Sequence, residues 1–358
     1  MGGRGRRALW HHGNVAAELP ERVLVVRLGA IGDVVNALVF ASALRDAVPG
    51  VEIGWVVHPL AAPLVTRHPS VDRVHLWERG GGLAGFRRVL REVRAVGYGL
   101  AVDLQRLQKS ALLARLSGAP RVLGYDRARA KELSWLWSKE RIPGGPPHEH
   151  MVDQVLGFAR YLGIGAGPRH VLPSDPDAEE WAEGFVAGVG AAPILLNLGA
   201  SKRANLWPAA RFGELARALE REHDAPVVLT GGPTDRAAEG EALAAWGRPP
   251  RDASAVGRTD LLQLAALQRR SRLFVSADTG PMHMAVAVGL PTLALFGAAD
   301  PRRTGPYGGL DPVSPHRVLV GSAPCAPCSR KTCNRSRHAC MQDIAVERVV
   351  SEVLAMLC

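Results

Sequence analysis

The eight residues SADTGPMH at positions 276–283 constrain the fold of this chain more than any other stretch. They follow an apolar run typical of a β-strand and lead into a helical pattern at 284–289. A strand that turns directly into a helix leaves the first helical amides unpaired, at the positive end of the helix dipole. Asp278 and Thr279 are natural N-cap residues, and Gly280 lets a ligand approach the backbone. The pattern is typical of a diphosphate-binding turn, although an ordinary capped helix in an α/β sheet would carry the same residues.

A second strand, glycine loop and helix lies near the N-terminus. The strand-like run RVLVV at 22–26 enters RLGAIGD at 27–33, and a helical pattern follows over 34–47. The spacing of Gly29 and Gly32 is G-x-x-G, which fits neither the dinucleotide fingerprint nor a P-loop. This loop offers a carboxylate, Asp33, which either caps the helix or stands at the mouth of a cleft.

Strand-like and helical patterns alternate along both halves of the chain. The apolar runs lie at 22–27, 51–57, 73–77, 99–103 and 121–123, and then at 193–197, 226–230, 272–276 and 291–296. Helical patterns between them imply parallel sheets, which bind ligands at the carboxyl ends of their strands. We therefore expect an α/β protein of two doubly wound domains that face each other across a cleft. The expected division is a disordered basic leader at 1–20, a first domain at 21–165, a linker at 166–192, a second domain at 193–320, and a cysteine-rich tail with a final helix at 321–358.

Six stretches together resemble a known family. They are RLGAIGDVVNALVFASALR (27–45), IGWVVHPLAAPLV (53–65), VDLQRLQKSALLARLSG (102–118), NLGASKRANLWP (197–208), VVLTGGPTD (227–235) and SADTGPMHMAVAVGLPTLALFGAADPRRTGPYG (276–308). In this order and at these separations, the chain resembles the bacterial heptosyltransferases of glycosyltransferase family 9. The resemblance implies the GT-B architecture of two facing Rossmann-like domains, with the last helix crossing back onto the first. It also implies an inverting transfer of heptose or a related sugar from ADP-heptose to the lipopolysaccharide inner core or a similar glycolipid.

The resemblance and the strand ends together suggest site residues. The resemblance makes Asp33 the general base for the acceptor hydroxyl. The amides of Thr279 and Gly280 suit the departing diphosphate, and His283 is a further donor one turn into the helix. The candidate donor-binding residues are Ser201, Lys202, Arg203, Asp235, Asp278, Thr279, Gly280 and His283; the candidate acceptor-side residues are Gly29, Gly32, Asp103, Gln105 and Lys109. Purely structural roles stay open for Asp103, Gln105 and His283, and a capping role for Asp235.

Two features bear on how a diphosphate is held. Many members of the family carry a lysine two residues before a Trp-Pro pair, where it contacts the donor phosphate, and Asn205 occupies that position here. Lys202 and Arg203, on the same loop, are candidates to supply the missing charge. The letters of a metal-binding D-x-D motif occur at 175–177, but they open a helical pattern near Ala178 and are predicted to cap it. We expect no metal or other cofactor in catalysis.

The charge of the chain points to an anionic partner. It has 44 Lys and Arg residues against 34 Asp and Glu, a net charge of +10. With few aromatic residues and no nucleic-acid-binding motif, the sequence favours an anionic glycolipid at the inner-membrane surface over nucleic acid. Arg87, Arg88, Arg91 and Arg94 fall on one side of a predicted helix, as a solvated face or a contact with anionic headgroups. No apolar run is long enough to cross a membrane and no secretory signal is visible, so we expect a cytoplasmic enzyme.

Four of the five cysteines form one cluster, Cys325-x2-Cys328-x4-Cys333-x6-Cys340. Such a cluster binds a structural zinc ion, forms two disulfides or remains as free thiols. Its spacing is not that of a standard zinc ribbon, and we expect no catalytic role for it.

Two other functions stay open. One is a nucleotide-sugar-binding protein without transfer activity, which Asn205 favours. The other is a GT-B transferase or epimerase that uses another nucleotide sugar, against which the Asp33 loop and the stretch at 276–308 speak. Turnover separates the binder from the enzymes, because a binder would release no nucleoside diphosphate.

Overall fold

The computed structural model describes residues 19–78, 80–165, 167–248, 253–335 and 337–357. Most of the expected basic leader, and Cys358, lie outside these residues. The strands of the described chain are β1 (Arg22–Val26), β2 (Glu52–Val57), β3 (Arg73–Leu76), β4 (Leu100–Asp103), β5 (Arg121–Gly124), β6 (Glu140–Arg141), β7 (Ile194–Asn197), β8 (Val227–Thr230), β9 (Leu273–Ala277), β10 (Thr292–Phe296) and β11 (Arg317–Val320). They form one sheet in the order β3-β2-β1-β4-β5-β6 and a second in the order β11-β10-β9-β7-β8.

Helices connect these strands, and all strand pairs within the two sheets are parallel. The helices are α1 (Ile31–Ala47), α2 (Ala62–Thr66), α3 (Gly82–Val96), α4 (Gln108–Leu116), α5 (Met151–Tyr161), α6 (Pro176–Val189), α7 (Ala209–Glu222), α8 (Arg236–Trp246), α9 (Leu261–Arg269), α10 (Gly280–Ala287), α11 (Pro301–Thr304), α12 (Ala339–Gln342) and α13 (Val346–Leu357). The expected α/β architecture with two doubly wound parallel sheets is confirmed.

Helix α1 lies at the centre of the molecule. Every residue from Val34 to Leu44 is buried, because this helix packs against both α5 and α10 as well as its own sheet. A helix that is apolar on all sides is stable only in such surroundings. The contact between α1 and α10 joins the two sheets, so the N-termini of these helices meet between them.

Helix α6 explains the D-x-D letters. Asp175 is its N-cap, and its carboxylate accepts a hydrogen bond from the Ala178 amide at 3.0 Å. The same carboxylate is paired with Arg67. The prediction of a helix cap is therefore confirmed.

The last helix does not cross back onto the first sheet, so that expectation is wrong. Helix α13 packs against α7 and contributes Val349, Val350 and Val353 to the core of the second sheet. The indole of Trp207 donates to the carbonyl of Ile344 at 3.1 Å and ties the preceding turn to the same core. The apolar face of α13 is therefore buried within the second half of the chain.

Helix α3 has the expected two-sided character. Val89 and Val93 are buried under the first sheet, and the four arginines at 87, 88, 91 and 94 are exposed. In the part of the chain that the structure describes, no helix combines the length and the apolar character needed to span a membrane.

Candidate active site

Asp33 lies in the first turn of α1 and is open to solvent. The N-cap position belongs to Ala30, so Asp33 is not the cap of this helix. Its side chain is 39% exposed, and its Oδ2 lies 2.7 Å from the Nη2 of the buried Arg27. Arg27 itself is anchored on the carbonyl of Leu104. The pair therefore holds a reachable carboxylate in one orientation.

The glycine loop before α1 is fixed by the end of β4. The side-chain oxygen of Gln105 accepts from the amides of Leu28 and Gly29 at 2.8 and 3.3 Å, and its nitrogen donates to the Gly29 carbonyl at 2.9 Å. Asp103 in turn accepts from the Gln105 amide at 3.0 Å. Burial is the main reason that the pKa of Asp103 rises to about 6. These polar groups are engaged in shaping the loop that presents Asp33.

Asp278 lies in the turn before α10, and its side chain is only 11% exposed. Burial raises its pKa to about 6, Lys202 opposes that rise, and the charge of Asp33 adds to it. The Nδ2 of Asn205 donates to the Oδ2 of Asp278 at 3.1 Å and to its carbonyl at 3.2 Å. Asn205 is itself buried. Its amide is thus used to hold the turn at 278, and Lys202 is the cation near it.

His283 packs against the Asp33 loop. A β-carbon placed on Gly32 would lie 2.4 Å from the Cδ2 of His283, and one placed on Gly280 would lie 2.9 Å from the Cβ of Ile31. The first turns of α1 and α10 are therefore in direct contact. Burial lowers the pKa of His283 to about 3, so the ring is neutral and donates or accepts without charge.

The remaining candidates lie on different segments of the chain. The hydroxyl of Thr279 caps α10 by accepting from the Met282 amide at 3.2 Å. Asp235 accepts from the Gly232 amide at 2.7 Å, and its carboxylate fills the space that a side chain at Gly199 would need. Asp235 therefore closes its own loop in this structure. It stands at the N-cap position of α8, but its side chain makes no capping hydrogen bond to that helix. Three further candidates differ in position: Ser201 and Arg203 are exposed on the loop after β7, and Lys109 is exposed in the first turn of α4.

The chain is similar in sequence to known glycosyltransferases over most of its length. A model of glycosyltransferase family 9 (heptosyltransferase) matches residues 86–338, more than half of the chain. The lipopolysaccharide heptosyltransferase 1 of Pseudomonas aeruginosa is 32% identical over 366 residues, which cover 94% of this chain and 98% of that protein. The chain belongs to glycosyltransferase family 9.

Solved structures agree with the fold of this family 9 glycosyltransferase. A family 9 glycosyltransferase from Veillonella parvula is similar with a TM-score of 0.79 and 23% identity, over 94% of this chain and 97% of that one. The Escherichia coli heptosyltransferase WaaC with ADP-2-deoxy-2-fluoro heptose is similar with a TM-score of 0.68 and 20% identity, over 93% and 99% of the two chains. The chain is thus a glycosyltransferase of GT-B architecture.

The four clustered cysteines of this glycosyltransferase are free thiols that line a small cavity. Cys325, Cys328, Cys333 and Cys340 are unbridged, so the disulfide alternative does not hold in this structure. Together with His338 they line a space of about 160 Å³. Among the described residues, no three His, Cys, Asp or Glu side chains are arranged to hold a metal ion. The structure thus gives no support to the zinc alternative at this cluster.

Two basic residues near the site were not among the sequence candidates. Arg27 orients Asp33, as described above. Arg106 has a φ of 66°, and its guanidinium lies 5.3 Å from the centre of the Tyr125 ring. Both lie close to predicted candidates in sequence, since Arg27 is two residues before Gly29 and Arg106 directly follows Gln105. That adjacency is the signal by which the sequence could have pointed to them.

Proposed function

We propose that this glycosyltransferase moves a heptose from ADP-heptose to the inner core of lipopolysaccharide or a similar lipid-anchored acceptor. The names of its relatives support this substrate pair. One is a lipopolysaccharide heptosyltransferase of 32% identity, and a fold neighbour was solved with an ADP-heptose analogue. The acceptor places the reaction at the cytoplasmic surface of the inner membrane.

The observation that carries the mechanism is the meeting of a solvent-reachable carboxylate with a capped helix start. Asp33, held by Arg27 at 2.7 Å, stands beside the turn at 278–283 because α1 and α10 touch at their first turns. We assign Asp33 as the general base that takes the proton of the acceptor hydroxyl. The acceptor oxygen then attacks the anomeric carbon from the face opposite ADP, through an oxocarbenium-like transition state, and inverts it.

The departing diphosphate is stabilised from the second half of the chain. The amides of Thr279 and Gly280 and the positive end of the α10 dipole face the developing charge. The next two residues add no free amide, because Pro281 has no N–H and the Met282 amide donates to the Thr279 hydroxyl. Lys202 supplies a positive charge in this region, replacing the family lysine whose position Asn205 fills. His283, being neutral, contributes a hydrogen bond rather than a charge. Transfer proceeds without a metal ion in this assignment.

The alternative of a binder without transfer activity rests on Asn205. Because Asn205 donates to Asp278 inside the turn, it stabilises the site whether or not a donor is bound. The discriminating experiment is calorimetric titration with ADP-, UDP- and GDP-sugars without added metal, followed by a nucleotide-release assay with a lipid-anchored acceptor. Selective binding of ADP-heptose with ADP release supports the proposal. Tight binding without release supports the binder, and selective binding of another nucleotide sugar replaces the donor.

A further inference from the structure

An exposed apolar turn stands at the carboxyl edge of the first sheet. The turn comprises residues 131–139, between β5 and β6, and we call it the tryptophan turn. Leu133 is 62% exposed and Leu136 is 57% exposed, and Trp135 and Trp137 are half-buried between them. Exposed leucines of this kind are unfavourably hydrated, and contact with a partner surface removes that free-energy cost.

Hydrogen bonds to the loop after β4 hold the turn in place, so its two exposed leucines have fixed positions. The Lys131 amide and the Ser134 hydroxyl both donate to the Arg106 carbonyl, at 3.0 and 2.9 Å. The turn also packs against α4. A rigid apolar projection loses little conformational entropy on contact, which favours its insertion into a partner.

Cations surround these apolar residues. Residues 127–141 carry five basic and two acidic side chains. The guanidinium groups of Arg127 and Arg141 lie 5.2 and 5.3 Å from the centre of the Trp135 ring. Tryptophan, leucine and arginine at one turn match the boundary between lipid headgroups and acyl chains, and the excess positive charge matches anionic headgroups.

The position of the turn fits a lipid-anchored acceptor. It follows the carboxyl end of β5, and the carboxyl ends of parallel strands lie at one edge of a sheet, so it shares that edge with Asp33 after β1. Other exposed leucines also follow strand ends at this edge, namely Leu60 after β2 and Leu83 after β3. Asp33 thus lies between apolar projections on both sides.

We infer that the tryptophan turn docks this enzyme onto an anionic phospholipid surface, with Leu133 and Leu136 entering the headgroup boundary. This inference rests on the proposed function only in that a lipid-anchored acceptor gives the docking a purpose. It places the principal membrane contact on this turn, whereas the sequence suggested the arginines of α3. A bilayer is favoured over a protein partner because Arg127 and Arg141 lie against the Trp135 ring beside two exposed leucines, which combines cationic, aromatic and apolar side chains at one turn.

The test is co-sedimentation of the full chain with phosphatidylcholine vesicles that contain or lack phosphatidylglycerol. The wild-type protein should pellet with the anionic vesicles and release in high salt. The double variant Leu133→Ser/Leu136→Ser should lower the vesicle-bound to free ratio roughly tenfold. The matched control is Leu310→Ser/Val313→Ser, an equally spaced exposed pair in the second half of the chain, which should bind like the wild type.

Three results would overturn the inference: no binding of the wild type, equal binding of the Leu133/Leu136 variant, or an equal loss in the control. If sedimentation velocity shows a wild-type dimer that the variant loses, the turn is instead a contact between two copies. ADP release with a detergent-dispersed acceptor separates the two proposals. A variant that loses vesicle binding but retains this release confirms docking alone, and a wild type that binds vesicles without any release refutes only the transfer reaction.

Discussion

Gly32 packs directly against the imidazole of His283, and a side chain at position 32 would collide with that ring. The absent side chain of Gly32 leaves room for the imidazole Cδ2, which would lie 2.4 Å from a β-carbon at that position. Because Gly32 precedes Asp33 and His283 follows the turn at 278–280, this contact sets the distance between the proposed base and the donor turn.

Replacing Gly32 with alanine should therefore disturb the site more than the fold. The new methyl group must displace His283 or separate α1 from α10, at a cost of about 1–3 kcal/mol. We expect transfer activity to fall at least tenfold, as followed by ADP release. The control is Gly184→Ala in α6, where a β-carbon meets nothing within 4 Å; it should keep activity. Full activity of the Gly32 variant would show that the contact does not position the site.

Asp33→Asn removes the proposed base but keeps the shape of the side chain. Loss of general base catalysis typically costs 10²–10⁴-fold in rate, so kcat should fall by about that factor. Calorimetric affinity for ADP-heptose should stay within about twofold, because the carboxylate acts on the acceptor. Asp46→Asn, at the exposed far end of the same helix, is the control and should behave as wild type. A near-normal kcat for the Asp33 variant would refute its role.

Asn205→Leu tests the role of the amide that replaces the family lysine. The variant deprives Asp278 of its Nδ2 donor, and an unsatisfied buried group costs about 1–3 kcal/mol. The pKa of Asp278 is about 6, so the loss should be large at pH 8, where the carboxylate is charged, and smaller at pH 5, where it is protonated. Urea unfolding at both pH values measures this difference. Equal losses at the two pH values would show that the hydrogen bond to Asp278 is not the reason for the effect.

His170→Phe should make the protein more stable in acid. Both ring nitrogens of His170 are buried without a hydrogen-bond partner, and burial lowers the pKa to about 4. A lowered folded pKa means stability that is full above pH 6.5 and lost as the pH falls towards 4. At pH 5 this loss is about 2 kcal/mol, and phenylalanine removes it. Urea unfolding should show the gain at pH 5 to exceed that at pH 8; no such difference would mean that the ring is solvated.

The sequence predicted the two sheets because their strands are short apolar runs between helical patterns. Each predicted run from 22–27 to 291–296 overlaps a strand of the structure. The strands β6 and β11 were missed: β6 has only two residues, and β11 lies among prolines and glycines that obscure its pattern. Helix α5 was missed as well, because it stands where the alternation of strand-like and helical patterns ends.

Contacts between distant segments were beyond sequence reasoning. The sequence offered Asn205 only as a missing charge, and its bonds to Asp278 depend on how two loops meet. The resemblance implied that α13 crosses onto the first sheet, and this was wrong, because the apolar face of α13 packs against α7. The assignments of Asp33 and of the donor residues remain predictions until the variants above are measured.

The contact between α1 and α10 limits how the cleft can change its width. Sliding one helix along the other would drive His283 into the backbone at Gly32, so a shear motion is blocked at this point. Rotation about the touching helix starts leaves the contact intact while the far rims of the two sheets move apart. Substrate entry should therefore follow a hinge whose axis runs beside the carboxylate proposed as the base, so that the geometry at Asp33 changes least while the rims open most.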